Sequence, residues 1–253
     1  RILLAIFFIC TVAFSISLDE EFYNIDDNKI KKVEFIKALL PLMEKKNREI
    51  MDERYFVEMF FKEKLLIRFN DDYNKAGLQR LIALSKKYKI SNLYNKNEYL
   101  EKIDAIPLSM ALSQAALESG WGSSFYAKEY NNLFGHYTFA RVDESINVSG
   151  KRERIRVFKD IESSVESYLL NINSHWAYAS FREERAKARG KNESFSGTVA
   201  IKHMLRYSEI GSQYAVLLKN IINENKLFIY DKLYATTNNK ETILLQNVIS
   251  ADI

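Results

Sequence analysis

The sequence predicts a mainly α-helical protein with one small β-hairpin, and three observations carry that expectation. Helix-breaking residues are scarce, two prolines and eight glycines in 253 positions, so long segments run without a forced end. Apolar positions recur at helical spacing over most of the chain. Only between residues 137 and 158 does the period fall to two, around a glycine-containing turn. With 47% apolar and 13% aromatic residues the chain can bury a large core, which argues against disorder, and its length fits one large unit or two domains.

The first element is expected to stand outside the folded body. Arg1, the apolar run Ile2 to Phe14 and the small residues of Ser15-Ile16-Ser17, ahead of Leu18-Asp19-Glu20-Glu21, have the make-up of a secretory signal peptide over residues 1–17. A few residues are expected ahead of Arg1, because no methionine opens the chain. The run is short for a bilayer span, so membrane contact is expected through this segment alone, and the location is expected to be periplasmic or secreted. Cys10, the single cysteine, falls inside the run, which excludes disulfides and thiolate catalysis in the remainder. Phe8 and Ile9 precede it where a lipidation site wants small residues.

From about Asp27, Val33, Ile36, Leu39, Leu40 and Met43 follow helical spacing, and Ile50, Tyr55, Phe56, Met59 and Phe60 resume it, giving two helices or one kinked helix. Leu78, Leu81, Ile82 and Leu84 mark another, and Tyr99, Leu100 and Ile103 a short one. Residues 18–105 thus form an N-terminal helical bundle. A helix over 107–119 opens with Pro107, tolerated in a first turn, and closes at Gly120. Leu108, Ala111, Leu112, Ala115 and Ala116 lie on one face and Leu117 on the other, as expected of a buried central helix.

The hairpin follows, with Asn147-Val148-Ser149-Gly150 as its turn and Arg152, Arg154 and Arg156 alternating with Glu153, Ile155 and Val157. Those arginines read first as a solvated strand face, in a position to meet substrate carboxylates. Ser163-Ser164-Val165-Glu166 has the capping-box pattern ahead of a helix carrying Val165, Tyr168, Leu169, Ile172 and Trp176. Further helices are expected near 178–189, closed by Gly190, over 198–206, and after Gly211 with Tyr214, Leu217, Leu218, Ile221 and Ile222. The functional domain spans 106–228, and the tail 229–253 carries no readable pattern.

A net charge of +4 is a small excess over 33 acidic side chains, and no basic run carries interleaved aromatics, so no nucleic-acid partner is expected. The three histidines, His136, His175 and His203, lack the spacing of a local metal motif, and neither metal nor other cofactor is expected. The most unusual acid is Glu118, at the end of an apolar helix and beside the stripe of Leu108, Ala111 and Ala115. Lost hydration and the negative end of the helix dipole both favour its protonated form, which a general acid requires near neutral pH. Trp121, with Phe125 and Tyr126, is positioned to give a wall for the apolar face of a sugar. On local sequence alone, a salt-bridged acid at a helix end fits Glu118 equally well.

The segment Ala111-Leu112-Ser113-Gln114-Ala115-Ala116-Leu117-Glu118-Ser119-Gly120-Trp121-Gly122, followed by Asn132-Leu133-Phe134-Gly135, resembles the glucosaminidase domain of glycoside hydrolase family 73. Within that superfamily the chain is similar to the Bax branch from roughly residue 33 to 228. That likeness includes Leu39-Leu40-Pro41, Asn171-Ile172-Asn173-Ser174-His175 with Tyr178, Phe181-Arg182, and Arg206-Tyr207-Ser208-Glu209-Ile210-Gly211 with Tyr214. The resemblance implies a lysozyme-like helical lobe with a β-hairpin lip, and an endo-acting β-N-acetylglucosaminidase working on peptidoglycan or a related N-acetylglucosamine polymer. It matches Glu118 to the catalytic acid and Tyr207 to a cleft-lining tyrosine, and it brings Asn132 and Phe134 of the second block into the substrate site. His136, directly after that block, is expected to face the cleft.

Glycoside hydrolysis usually needs a second carboxylate across the sugar, and the resemblance puts it on the hairpin. Glu144 is the first choice and Glu153 its competitor, with Asp143 also in range; His136-Tyr137-Thr138-Phe139 and the hairpin depart from the Bax pattern, which leaves the register open. With no second acid in reach, assistance by the substrate's N-acetyl group, a lytic transglycosylase-like reaction or a non-catalytic glycan-binding scaffold become the alternatives.

Overall fold

The computed structural model describes residues 18–63, 72–138, 145–147 and 154–232; the signal-like segment, most of the tail, Asp143, Glu144 and Glu153 lie outside the described residues. Helices α1 (Glu20–Tyr23), α2 (Asn28–Glu63), α3 (Asp72–Lys87), α4 (Lys96–Lys102), α5 (Leu108–Ser119) and α6 (Phe125–Tyr130) precede the strands β1 (Tyr137–Thr138), β2 (Ser145–Asn147) and β3 (Arg154–Arg156). Then come α7 (Ile161–Ser174), α8 (Ala179–Gly190), α9 (Gly197–Ala200) and α10 (Ser212–Glu224), with 3-10 turns at Trp176–Tyr178 and Ile201–His203. Among the described residues no helix is long and apolar enough to cross a membrane.

The mainly helical class holds, with local differences. The two apolar stretches of the N-terminal region belong to one helix, α2, which carries Pro41 inside it. The strands make an antiparallel sheet of order β1-β3-β2, so β3 sits in the middle and the expected hairpin is only its β2–β3 half. Helix α7 starts two residues before the expected capping box: Asp160 is its N-cap and accepts from the Ser163 amide at 2.7 Å. Trp176 therefore falls past that helix, in a 3-10 turn, and is 69% exposed. The helix expected over 198–206 is only α9 plus a 3-10 turn. Neither α1 nor α6 was legible, both being too short to show a period.

One contiguous core runs from Leu18 to Leu227, so packing does not break at 105/106. Its axis is α5, buried from Leu108 to Ala116, which packs against α2, α9 and α10. Three clamps set its position. The amide of Asn47 on α2 closes on the backbone of Ile106, donating to its carbonyl at 2.8 Å and accepting from its N–H at 3.0 Å. Asp231 accepts from the Ser109 N–H at 2.9 Å and the Ser109 hydroxyl at 2.6 Å, a carboxylate at the positive end of a helix. The same carboxylate accepts from the Gly197 N–H at 2.9 Å, which joins the α9 entrance to α5 and brings the start of the tail into the fold.

At Gly197 the two backbones nearly touch, since a Cβ there would lie 2.0 Å from Ser109 Oγ and 2.6 Å from Met110 N. Because a backbone atom blocks the space, Gly197→Ala is expected to destabilise the fold by about 1–3 kcal/mol, read as a lower melting temperature; unchanged melting would refute this contact.

A buried charge cluster ties the region before α5 to α2 and α8. Asp104, 1% exposed, pairs with Arg189 and lies 3.5 Å from Arg54 Nη1. Arg185 donates to the carbonyls of Asp104 at 2.9 Å, Ala105 at 3.1 Å and Glu101 at 2.9 Å, and to Asn173 Oδ1 at 2.8 Å. Burial pushes the Asp104 carboxyl up, and the guanidiniums of Arg185, Arg189 and Arg54 more than reverse this, holding it below its ordinary value.

Candidate active site

Helix α5 ends in a turn that aims Glu118. Gly120 (φ 56), Trp121 (φ 56) and Gly122 (φ 79) are all left-handed, the conformation glycine takes at least cost. Ser119 locks the turn, donating to the Ala115 carbonyl at 2.6 Å and accepting from the Gly122 N–H at 2.7 Å. A Cβ on Gly122 would stand 2.9 Å from Leu18 and 3.2 Å from Phe22, so α1 closes over this turn. The Trp121 ring turns towards α2, edge-on to Phe35 at 5.7 Å and under Lys32 Nζ at 5.0 Å. It is not gathered with the aromatic side chains around Glu118. Phe125, 63% exposed, instead forms a surface cluster with Tyr126 and Tyr130.

One helical turn before Glu118, on the same face, stands Gln114, and the two are bridged by Tyr214 from α10. Tyr168 donates to Gln114 Oε1 at 2.6 Å, Gln114 Nε2 donates to the Tyr214 hydroxyl at 3.0 Å, and Tyr214 donates to Glu118 Oε1 at 2.8 Å. Burial raises the Glu118 carboxyl above the ordinary glutamate value, and the Tyr214 hydrogen bond opposes that rise without cancelling it. The other oxygen, Oε2, lies beside Gly135, 3.7 Å from where a Cβ would sit. Gly135 (φ 63) therefore makes the turn and brings its backbone beside that oxygen.

Asn132, 2% exposed, builds this turn. Its Nδ2 donates to the carbonyls of His136 at 2.9 Å and Arg156 at 3.0 Å, and its Oδ1 accepts from the His136 N–H at 2.8 Å. Expected at the substrate, the side chain is instead committed to backbone. Phe134 is likewise beneath the surface, stacked on Tyr168 at 4.0 Å, and its carbonyl accepts from the Tyr207 hydroxyl at 3.2 Å. Tyr207 stacks on Tyr214 at 5.5 Å and neighbours Tyr178 at 5.9 Å. His136 lies on the groove that opens here; burial, with Arg156 adding to it, lowers its pKa to about 4, so it is neutral at neutral pH.

Gln114 and Tyr214 are the partners that site-by-site sequence reading missed. A polar residue four positions before the acid on an apolar helix was a signal for the first; Tyr214 reads as a core position of an amphipathic helix, and nothing local announces its hydroxyl. Removing that hydroxyl by Tyr214→Phe is expected to raise the Glu118 pKa further. If Glu118 must be protonated to act, the alkaline limb of the kcat/KM–pH profile then moves to higher pH; a limb that stays or falls would separate Glu118 from that limb.

A carboxylic acid whose pKa burial raises, oriented by a tyrosine and set beside a groove, is equipped to protonate a leaving oxygen, the chemistry that glycosidases share. The chain belongs to the glucosaminidase family: residues 93–227 match the family model described as mannosyl-glycoprotein endo-beta-N-acetylglucosaminidase. It is 31% identical over 204 residues to Protein bax of Escherichia coli (strain K12), covering 79% of this chain and 71% of that protein. Among solved structures, the catalytic domain of the autolysin Auto from Listeria monocytogenes matches 68% of this chain and 96% of its own, at 17% identity and a TM-score of 0.37. Family membership supports a glycosidase acting in the cell envelope or outside the cell.

Proposed function

We propose that this protein is a secreted endo-β-N-acetylglucosaminidase that hydrolyses β-1,4 bonds in the glycan strands of peptidoglycan, with Glu118 as general acid. The observation that carries the reading is the Glu118 carboxyl itself, raised in pKa by burial and beside Gly135 in a glucosaminidase-family segment. Glu118 passes its proton to the glycosidic oxygen as the bond from that oxygen to the anomeric carbon breaks, and the electron pair leaves with the oxygen. Water supplies the hydroxyl that completes the new reducing end and gives its remaining proton to a carboxylate base. Tyr214 and Gln114 orient the acid, Tyr207 walls the cleft, and Asn132 and Phe134 hold the turn in place.

Glu144 is proposed as the second carboxylate, ahead of Glu153. Its chain neighbour Ser145 is opposite Arg156, whose N–H bonds the His136 carbonyl next to Gly135 at 3.0 Å. Glu153 precedes Arg154, which is opposite Thr138 and Asn147 at the other end of the sheet. Mass spectrometry of a peptidoglycan digest tests the reading. Fragments with a reducing N-acetylglucosamine end are expected; anhydro ends would make the protein a transglycosylase, and binding without new ends a scaffold.

A further inference from the structure

The groove that opens at Gly135 and Tyr207 has a volume of about 540 Å³ and continues past β1 and α7 to the end of α3. Among its described lining residues none is acidic, whereas Lys87, Lys89 and Arg156 are cationic. Lys87 is already neutralised by Glu53 at 2.7 Å. Lys89 and Arg156 have no carboxylate partner among the described residues. Arg156 is held without being neutralised, since it donates to Ser167 Oγ at 2.8 Å and lies over the Phe158 ring at 4.8 Å.

Two further observations mark the same groove. Lys89 has φ 52 at the left-handed turn that ends α3, where the Ile90 N–H returns to the Ser85 carbonyl at 2.8 Å and Lys102 donates to the Lys89 carbonyl at 2.6 Å, so its backbone is held at the groove. His136 Nε2 is buried with no hydrogen-bond partner, although its ring lines the groove. Arg156 donates to Ser167 Oγ, which also meets His136 Nδ1 at 3.3 Å; when the serine donates there, the ring proton is on Nε2. A buried ring nitrogen without a hydrogen-bond partner thus lies in the same groove as two cations that have no carboxylate partner among the described residues.

We infer that Lys89, Arg156 and His136 form a subsite for a carboxylate carried by the glycan, that of the peptide stem of peptidoglycan, and so make the protein prefer stem-bearing strands to uncharged N-acetylglucosamine polymers. The inference rests on the glycosidase reading of Glu118 and specifies its substrate. Carboxylates suit such a set, because the guanidinium donates in directed geometry, the neutral imidazole can donate from Nε2 and Lys89 contributes charge.

The test compares peptidoglycan strands with free stem carboxyls against the same strands after those carboxyls are converted to amides. Wild-type kcat/KM is expected to be about tenfold lower on the amidated strands, the size of a lost charge-assisted contact. Lys89→Met, at an exposed side chain, is expected to narrow that ratio, Lys89→Arg to preserve it, and Lys89→Met with Arg156→Gln to abolish it. Equal wild-type rates on the two substrates, or an undiminished ratio in the double variant with wild-type melting, would overturn the subsite. Binding of both strands to Glu118→Gln protein, measured by calorimetry, reads the same preference without turnover. Carboxylate-selective binding with no turnover by the wild type would overturn the hydrolase reading and keep the subsite; turnover without selectivity would do the reverse.

Discussion

Glu118→Gln is expected to lower kcat on peptidoglycan by about 10²- to 10⁴-fold, the range a positioned proton donor contributes, while the protein stays folded. Glutamine has nearly the shape of the protonated acid and keeps an oxygen to accept from Tyr214, so the chain from Tyr168 through Gln114 to Tyr214 survives the change. What it cannot do is release a proton. The readout is clearing on peptidoglycan gels beside a thermal melt, and clearing at the wild-type rate would remove Glu118 from the mechanism. The raised pKa also has a stability consequence. A group whose folded-state pKa lies above its unfolded value binds more protons when folded, so the stability it contributes is present below the unfolded value and lost as pH rises through the folded one. Glu118→Gln is therefore expected to gain melting temperature relative to wild type on the alkaline side of the Glu118 pKa.

The second large effect is expected away from the chemistry. Asp104→Ala is expected to destabilise the protein by about 3–5 kcal/mol, because it strands guanidiniums that burial would otherwise penalise. Arg185 is buried among backbone carbonyls, and desolvation already lowers its pKa to about 10, with Asp104 the largest opposing influence. Since Asp104 sits between α4 and α5 and draws in α2 and α8, losing it loosens the platform from which α5 presents Glu118. The direction with pH is opposite to that of Glu118. The folded-state pKa of Asp104 is depressed, so its contribution is present above the unfolded value and disappears as pH falls through the folded one. Asp104→Asn is expected to flatten the acid limb of stability; denaturant melts between neutral and acid pH measure this, and an unaltered limb would assign acid sensitivity elsewhere.

Legibility differed between residues for identifiable reasons. Glu118 stood out because a carboxylate in an apolar helix contradicts the pattern around it. Asn132 was associated with the substrate through its sequence block, yet its amide serves three backbone groups, a role no one-dimensional pattern encodes. Trp121 was read as a sugar wall from proximity in sequence; the left-handed turn after Glu118 rotates it towards Phe35 instead. Asp104 and Arg185 were invisible in a chain rich in charge, because only burial separates a structural ion cluster from a solvated one.

The sequence by itself determined the helical class, the buried identity of α5 and the singular position of Glu118, since periodicity and local composition are properties of neighbouring residues. Only the tertiary structure decided which groups meet that acid. Gln114 is one turn away, but Tyr214, Tyr168 and Gly135 come from separate elements, and Glu118 owes both its orientation and its raised pKa to how closely those elements pack.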